Sequence, residues 1–369
     1  MEIEAALTDP LEAQHLPRPA GRVRVALAVP QSGPLGLTGP SALDAALLAA
    51  HETNVQERLR GRVLDLVLVD AGRRPGDVAR DVADLATRGL VDAVVGFHTS
   101  DVHRAVESAL AGRTPYVFTP PHEGGRRLPG VVCLGADPSQ QLRGSIAWLT
   151  RTHRLRRWAL VGSDYIWPRS VHRHARRLVA EQGATVVLEA RVPLGGLDDR
   201  LARLLDDLVT SRADAVLLSM VGRDLATFNT AARRTGLDRR LVRLSGALEE
   251  NGLLAARGDR TGTLYAAMPS FASLTDDDRT GLAERHAALL GPRAPVLDSY
   301  AEGVYDGVRL VAALAGRDAL GTASLRRGAP EVAELRRRRG MHLARAEAFD
   351  LAVVAGTRRD TGQSPSIWK

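Results

Sequence analysis

Lysine is almost absent from this chain: of 50 basic residues other than histidine, only Lys369 is a lysine and the rest are arginine. The formal net charge is +7 and the isoelectric point near 10.3, values that can indicate a nucleic-acid partner. The arginines are instead scattered over helix-like segments such as "RTHRLRR" and "RHARR" and interleave with acids. They read as solvated faces, with "ELRRRR" (334–339) as the only run expected to form a basic patch, and no direct nucleic-acid partner is expected. Cysteine occurs once, as Cys133. An intramolecular disulfide and a thiolate metal cluster are therefore excluded; Cys133 lies in "GVVCLG" and reads as a small buried apolar residue. No apolar run reaches the roughly 20 residues of a membrane helix. The opening "MEIEAALTDPLEAQHLPRPAGR" has neither the basic start nor the apolar centre of a signal peptide. A cytoplasmic location with no membrane partner is the expectation. Aromatic residues make up only 4% of the chain, so the two in "VGSDYIWPR" (161–169) stand out.

What is present is an alternation. Apolar, β-branched runs ("VRVALAVP", "VLDLVLVD", "VDAVVG", "PYVFTP", "VVCLG") are separated by helix-periodic segments ("SALDAALLAAHETN", "PGDVARDVADLATRG", "SDVHRAVESALAG"). The alternation repeats from "RWALVG" onward, through "ATVVLEARVP", "ADAVLLSM", "RLVRLSG" and "GTLYAAMPSF", and closes with strand-like "ARAEAFDLAVVAG". Near-continuous apolar strands between helices predict parallel sheets covered on both faces. At 369 residues, two such blocks predict an α/β protein of two doubly wound, Rossmann-like lobes joined by a hinge. The expected boundaries are a flexible N-terminal arm over 1–21, one lobe from 22–138 plus 270–335, and a second from 139–269 plus 336–369. In this architecture ligands lie at the carboxyl ends of the strands, here in the cleft between lobes.

Four segments follow an apolar strand and precede a helix: "GFHTS" (96–100), "FTPPHEGG" (118–125), "SDYIWPR" (163–169) and "LSMVGR" (218–223). They nominate His98, Thr99, Ser100, Phe118, Pro120, Pro121, Tyr165, Trp167, Met220 and Val221 as ligand-binding residues. His98 and Phe118 read as walls, Tyr165 and Trp167 as a lid, and Ser100 as a hydroxyl at a helix start that can meet an acceptor oxygen. Thr99 or Ser100 can equally be a simple helix cap. Asp164, Glu123 and Arg223 are the charges that could turn inward. Glu249 and Glu250 are the candidates for an ammonium group, should the ligand be an amino acid.

An enzyme reading finds little support. No H-E-x-x-H, P-loop or G-x-S-x-G motif occurs. The opening glycines, Gly33, Gly36 and Gly39, are spaced G-x-x-G-x-x-G, unlike a dinucleotide fingerprint. His172 and His174 are two residues apart, a poor metal pair on a helix, and read as solvated surface. "DDD" at Asp276–Asp278 reads as a helix start. The chain is expected to be non-catalytic and to need neither metal nor cofactor; the remaining enzyme alternative is a cleft using His98, Ser100 and Glu123.

The motifs "PQSGPLGLTGPSALDAALLA", "VVGFHTSDVHRAV", "TPPHEG", "VGSDYIWPR" and "SRADAVLLSMVG" resemble the type I periplasmic-binding-protein family, in its branched-chain amino acid, urea and short-amide subgroup. They are most similar to the cytoplasmic amide sensors that regulate amidase operons. That resemblance implies a serine (Ser100) and lobe-spanning aromatics enclosing a small amide. Three of the family's tyrosine positions carry His98, Phe118 and Trp167 here. It also implies a small-molecule ligand (an amide, urea-like compound or amino-acid derivative) and a regulatory protein partner such as an antiterminator, with homo-oligomerisation left open. The alternative is the solute-binding component of an ABC-type uptake system for amino acids, amides or urea.

Overall fold

The computed structural model describes residues 3, 5–15, 18–326 and 330–356. The first elements are β1 (Leu7–Thr8), α1 (Pro10–His15), β2 (Arg22–Val29), α2 (Gly39–Val55), β3 (Val63–Asp70), α3 (Pro75–Thr87), β4 (Ala93–Gly96), α4 (Ser100–Leu110), β5 (Tyr116–Phe118) and β6 (Val131–Cys133). Then follow α5 (Pro138–Thr152), β7 (Arg157–Ser163), α6 (Ile166–Glu181), β8 (Thr185–Val192), α7 (Leu201–Ser211), β9 (Ala215–Ser219), α8 (Gly222–Arg234), β10 (Val242–Ser245), α9 (Glu250–Ala255) and β11 (Leu264–Met268). The chain ends its described course with α10 (Asp277–Leu290), α11 (Ser299–Gly316), α12 (Thr322–Arg326), α13 (Pro330–Arg338), β12 (His342–Glu347) and β13 (Asp350–Gly356).

Two compact units result. One comprises Met1–Pro120, Gly125–Gly135 and Asp276–Arg336, the other Pro121–Gly124, Ala136–Thr275 and Arg337–Lys369. The expected boundaries differ in detail. Residues 270–275 belong to the second unit, where Ala272 N–H donates to Glu250 Oε1 at 2.5 Å and Ser273 Oγ donates to the Leu351 carbonyl at 2.6 Å. Residues 357–369 of the expected second lobe lie outside the described residues. The expected flexible arm is corrected within its described part. β1 pairs in parallel with β3, and Ala13 of α1 is buried in the core around β2 and β3. Apolar side chains here gain more from burial than a free arm would offer.

The first unit is a six-stranded parallel sheet of order β1-β3-β2-β4-β5-β6. β2 pairs on one side with β3 and on the other with β4. Both faces of β2 are covered, and Val25 to Val29 are fully buried, which is why "VALAV" shows no polar alternation. α11 packs along α2 and begins at an Asp298 cap that accepts from Tyr300 and Ala301 N–H and from Ser41 Oγ. Gly39 opens α2 because a Cβ there would sit 1.8 Å from the Pro30 carbonyl oxygen.

The second unit is a seven-stranded sheet of order β13-β12-β11-β10-β9-β7-β8. β7 to β11 run parallel, whereas β12 and β13 add antiparallel. A capping box, Asp137 with Gln140, starts α5. In each sheet the chain reverses its direction of winding once, between β2 and β4 in the first unit and between β7 and β9 in the second. These are the crevices where doubly wound sheets take ligands. No helix among the described residues is long and apolar enough to cross a membrane.

Candidate functional site: strand ends at the two switch points

At the first switch point the loop after β4 carries Phe97 to Ser100. Thr99 is the N-cap of α4 in extended conformation but makes no side-chain cap bond, and Ser100 is the first helical residue and is buried. His98 is not an open wall. Its ring folds back over Gly96, with Nε2 3.1 Å from Tyr116 Oη and Nδ1 3.2 Å from the Thr99 carbonyl oxygen. A carbonyl only accepts, so Nδ1–H donates to it and Nε2 accepts the Tyr116 hydroxyl proton. That hydroxyl then accepts from His103 Nδ1, 3.0 Å away. Burial pushes the His98 pKa down to about 4, because the charged imidazolium has no water there.

Phe118 is corrected more sharply. It is fully buried and stacks on His103 at 4.1 Å within the core of the first unit. Phe118 shares a face of β5 with Tyr116, and both pack on His103 of α4. Behind it, the chain passes from the first unit to the second between Pro120, which is buried, and Pro121, which is partly exposed. Nearby, Asp70 Oδ1 accepts from the N–H groups of Gln31, Ser32 and Gly72, each at 3.2 Å or less, and fixes the loop after β2.

At the second switch point, α6 starts at Ile166, earlier than its sequence pattern indicated. Tyr165 is its N-cap, Trp167 lies in its first turn, and Pro168 follows where a missing N–H costs no helical bond. The Tyr165 and Trp167 rings are 6.4 Å apart and both are buried. Two buried polar atoms here make no hydrogen bond: Trp167 Nε1 and Ser163 Oγ, the latter on the last residue of β7. Across the switch point, Met220 is fully buried and Val221 is the N-cap of α8 without a side-chain cap.

Of the charged candidates, Asp164, Glu249 and Glu250 accept hydrogen bonds within the second unit. Asp164 is held below the usual carboxylate range by its hydrogen bond to Arg169 at 2.9 Å, with Arg191 also near. Arg223 is exposed. Glu249 caps α9, accepting from Asn251 and Gly252 N–H at 2.7 and 2.8 Å, and Glu250 accepts from Ala272. Glu123 is buried in the second unit, and its carbonyl accepts from Ser170 Oγ at 2.7 Å. In the remaining enzyme alternative, both ring nitrogens of His98 are engaged, one by Tyr116 and one by the Thr99 carbonyl. Cys133 is buried, with Arg127 Nε 3.2 Å from its sulfur. Asp276 caps α10.

Sequence reasoning missed His172. It is 1% exposed, with Nε2 2.9 Å from Ser219 Oγ and Nδ1 3.2 Å from Glu189 Oε1. The spacing is that of a nucleophile, base and orienting carboxylate. Ser219, however, is 1% exposed, and its hydroxyl lies under Gly162, where a Cβ would stand 2.2 Å from it. The hydroxyl and the imidazole are both buried within the second unit. The relay ties α6 to the middle of β8 and the end of β9. Burial lowers the His172 pKa, against the opposing pull of Glu189. By contrast, His174 is partly exposed and bonds the Ser170 carbonyl. Among the described residues no cluster of His, Cys, Asp and Glu could hold a metal ion.

Two parallel-rich, doubly wound units with candidate residues at both switch points define the type I periplasmic-binding-protein architecture. A family model described as periplasmic binding protein matches residues 22–358, and the chain belongs to that family. Its structure is similar to a periplasmic binding protein from Burkholderia mallei, with a TM-score of 0.77 at 18% identity over 95% of this chain and 100% of that one. It is also similar to a branched-chain amino acid transporter substrate binding protein from Streptococcus pneumoniae in complex with isoleucine (TM-score 0.72, 16% identity, 90% and 99% coverage). A third is an ABC transporter solute binding protein from R. palustris in complex with benzoate (TM-score 0.74, 14% identity, 90% and 96% coverage). The family and these neighbours are binding proteins rather than enzymes.

Proposed function

We propose that this protein is the solute-binding component of an ABC-type uptake system and takes a small, uncharged, acceptor-bearing ligand at the strand-end loops. The observation that carries the ligand class is the pair of buried, unpartnered donors, Trp167 Nε1–H and Ser163 Oγ–H, at the second switch point. A buried donor without a partner costs about 1–3 kcal/mol, a cost that a ligand carbonyl offsets. Asp164, Glu249 and Glu250 already accept from Arg169 or from backbone N–H groups, which favours a ligand lacking an ammonium. The structural neighbours that serve transporters support the uptake role. The motif "GSDYIWPR" favours a second reading, a cytoplasmic amide sensor acting on a regulatory protein partner.

A calorimetric panel of short amides, ureas, benzoate and branched-chain amino acids tests the ligand class. An amide or urea binding one per chain is the expected result, and tighter binding of leucine or isoleucine than of any uncharged compound would refute it. Pull-down against membrane extracts containing the permease, and against soluble extracts, separates the uptake role from the sensor.

A further inference from the structure

The second unit carries a cavity of about 980 Å³ at the opposite end of its strands, where Asp238 and Arg239 precede β10 and Gly258 to Thr261 precede β11. Its walls include Arg233, Arg234, Arg239, Arg257, Arg260 and Phe349. Several arginines elsewhere in the protein meet carboxylates, as in Arg22–Asp65, Arg73–Asp81 and Arg279–Glu302. Here Arg233 is spent on the Ala256 and Gly258 carbonyls that end α9. Arg234, Arg239, Arg257 and Arg260 are exposed and form no ion pair among the described residues.

The two acids in the lining do not neutralise them. Asp259 is 4% exposed; its Oδ2 binds Arg243 at 2.9 Å and its Oδ1 accepts from Thr261 N–H and Oγ1. Asp238 is 3% exposed; its charge acts on Arg243, and its backbone carbonyl accepts from Arg243 and Thr263. Arg243 itself is fully buried and also bonds Asn229, Thr261 and Thr263. The cavity floor is thus a cross-linked polar network, with the outer arginines exposed around it. Phe349, at the turn between β12 and β13, leaves 51% of its surface exposed on the same wall.

We propose that this cavity binds a polyvalent oxyanion carrying a planar ring, of the nucleoside-phosphate class. Guanidinium groups grip phosphate oxygens in paired hydrogen bonds, Phe349 offers a stacking face, and the volume falls within the roughly 300–1,000 Å³ of small-molecule sites. The proposal is independent of the solute site, which lies at the other end of the same strands.

Titration calorimetry in about 50 mM salt, with ATP, adenosine and inorganic tripolyphosphate as probes, tests it. ATP is expected to bind one per chain and more tightly than tripolyphosphate, with adenosine showing no heat. Arg239→Gln with Arg260→Gln should weaken ATP at least tenfold, and Phe349→Ala should reduce ATP to the affinity of tripolyphosphate. A control pair, Arg58→Gln with Arg74→Gln, removes the same charge from the other unit and should change neither affinity. Unaltered melting temperatures confirm that the variants fold. Absence of ATP binding at millimolar concentration, equal losses in both arginine pairs, or equal affinities for ATP and tripolyphosphate would each overturn the proposal.

Discussion

At the scale of residues, the proposed recognition rests on single side chains. Trp167 Nε1 is buried without a partner, so Trp167→Phe keeps most of the ring area and removes only the donor. Ligand affinity is expected to fall about 5- to 30-fold, the worth of roughly 1–2 kcal/mol, while the melting temperature stays within about 2 °C. Calorimetry beside a thermal melt separates the two effects. A collapse of stability with unchanged affinity would place the indole in the core. His98 supplies a second expectation. Its folded pKa of about 4 lies below the model-compound value of 6.5, so the unfolded chain binds the extra proton first. Stability is fully present above pH 6.5 and is lost as pH falls toward 4, by up to about 3 kcal/mol from this group. His172, His153 and His286 shift the same way and add to the fall. The urea midpoint should therefore drop between pH 7 and pH 5, and His98→Gln should flatten that drop. An unchanged slope in the variant would show that His98 titrates normally.

At the scale of elements, α6 is the hinge of the second switch point's geometry. Its first turn holds Trp167, and five residues further on His172 reaches the last residue of β9 and the edge strand β8. His172→Ala is expected to cost about 2–3 kcal/mol, because it leaves a buried serine hydroxyl and a half-buried carboxylate short of a partner. The measurement is a denaturant titration at pH 7.5, where the histidine is neutral. Ligand affinity should fall with it, since the loops carrying Trp167 and Met220 lose their common anchor. His172→Asn, which can still donate toward Glu189, should recover part of both. The elements also show why His172 was misread. Arginines at 173, 176 and 177 surround it in sequence, and a helix so charged reads as solvated. Only the register Gly162↔Ser219, with a glycine vacating space, shows that one position of that helix lies over polar atoms of the sheet.

For the whole molecule, the chain crosses between units five times, so neither unit is contiguous in sequence. α11 supplies a long buried face to the first unit, including the stack of Tyr300 on Phe97 at 4.6 Å and the Asp298 cap bound to Ser41. A chain ending at Thr275 loses all of it. Since native domains are stable by only about 5–15 kcal/mol, the truncated protein is expected to melt without a cooperative transition for the first unit. Circular dichroism and calorimetry read this directly, and a full two-transition melt would mean that residues 1–135 fold without their return segment.

Strand and helix alternation, the parallel sheets and the strand-end positions of His98 to Ser100, Tyr165, Trp167, Met220 and Val221 were legible because hydrophobic periodicity reports burial locally. Which way those side chains turn was decided in three dimensions. Phe118 and His98 face inward because Tyr116 and His103 are there to receive them. The one basic patch expected from sequence, 334–339, has its central side chains outside the described residues. The arginine-walled cavity is instead assembled from segments around 233, 239, 257 and 349. Sequence by itself determined the elements and their order, since propensity and periodicity act between near neighbours. Tertiary structure alone decided which polar groups are spent on each other and which stay open to a ligand, because hydrogen bonds and charges are satisfied by whatever the fold brings within about 3 Å, however distant in the chain.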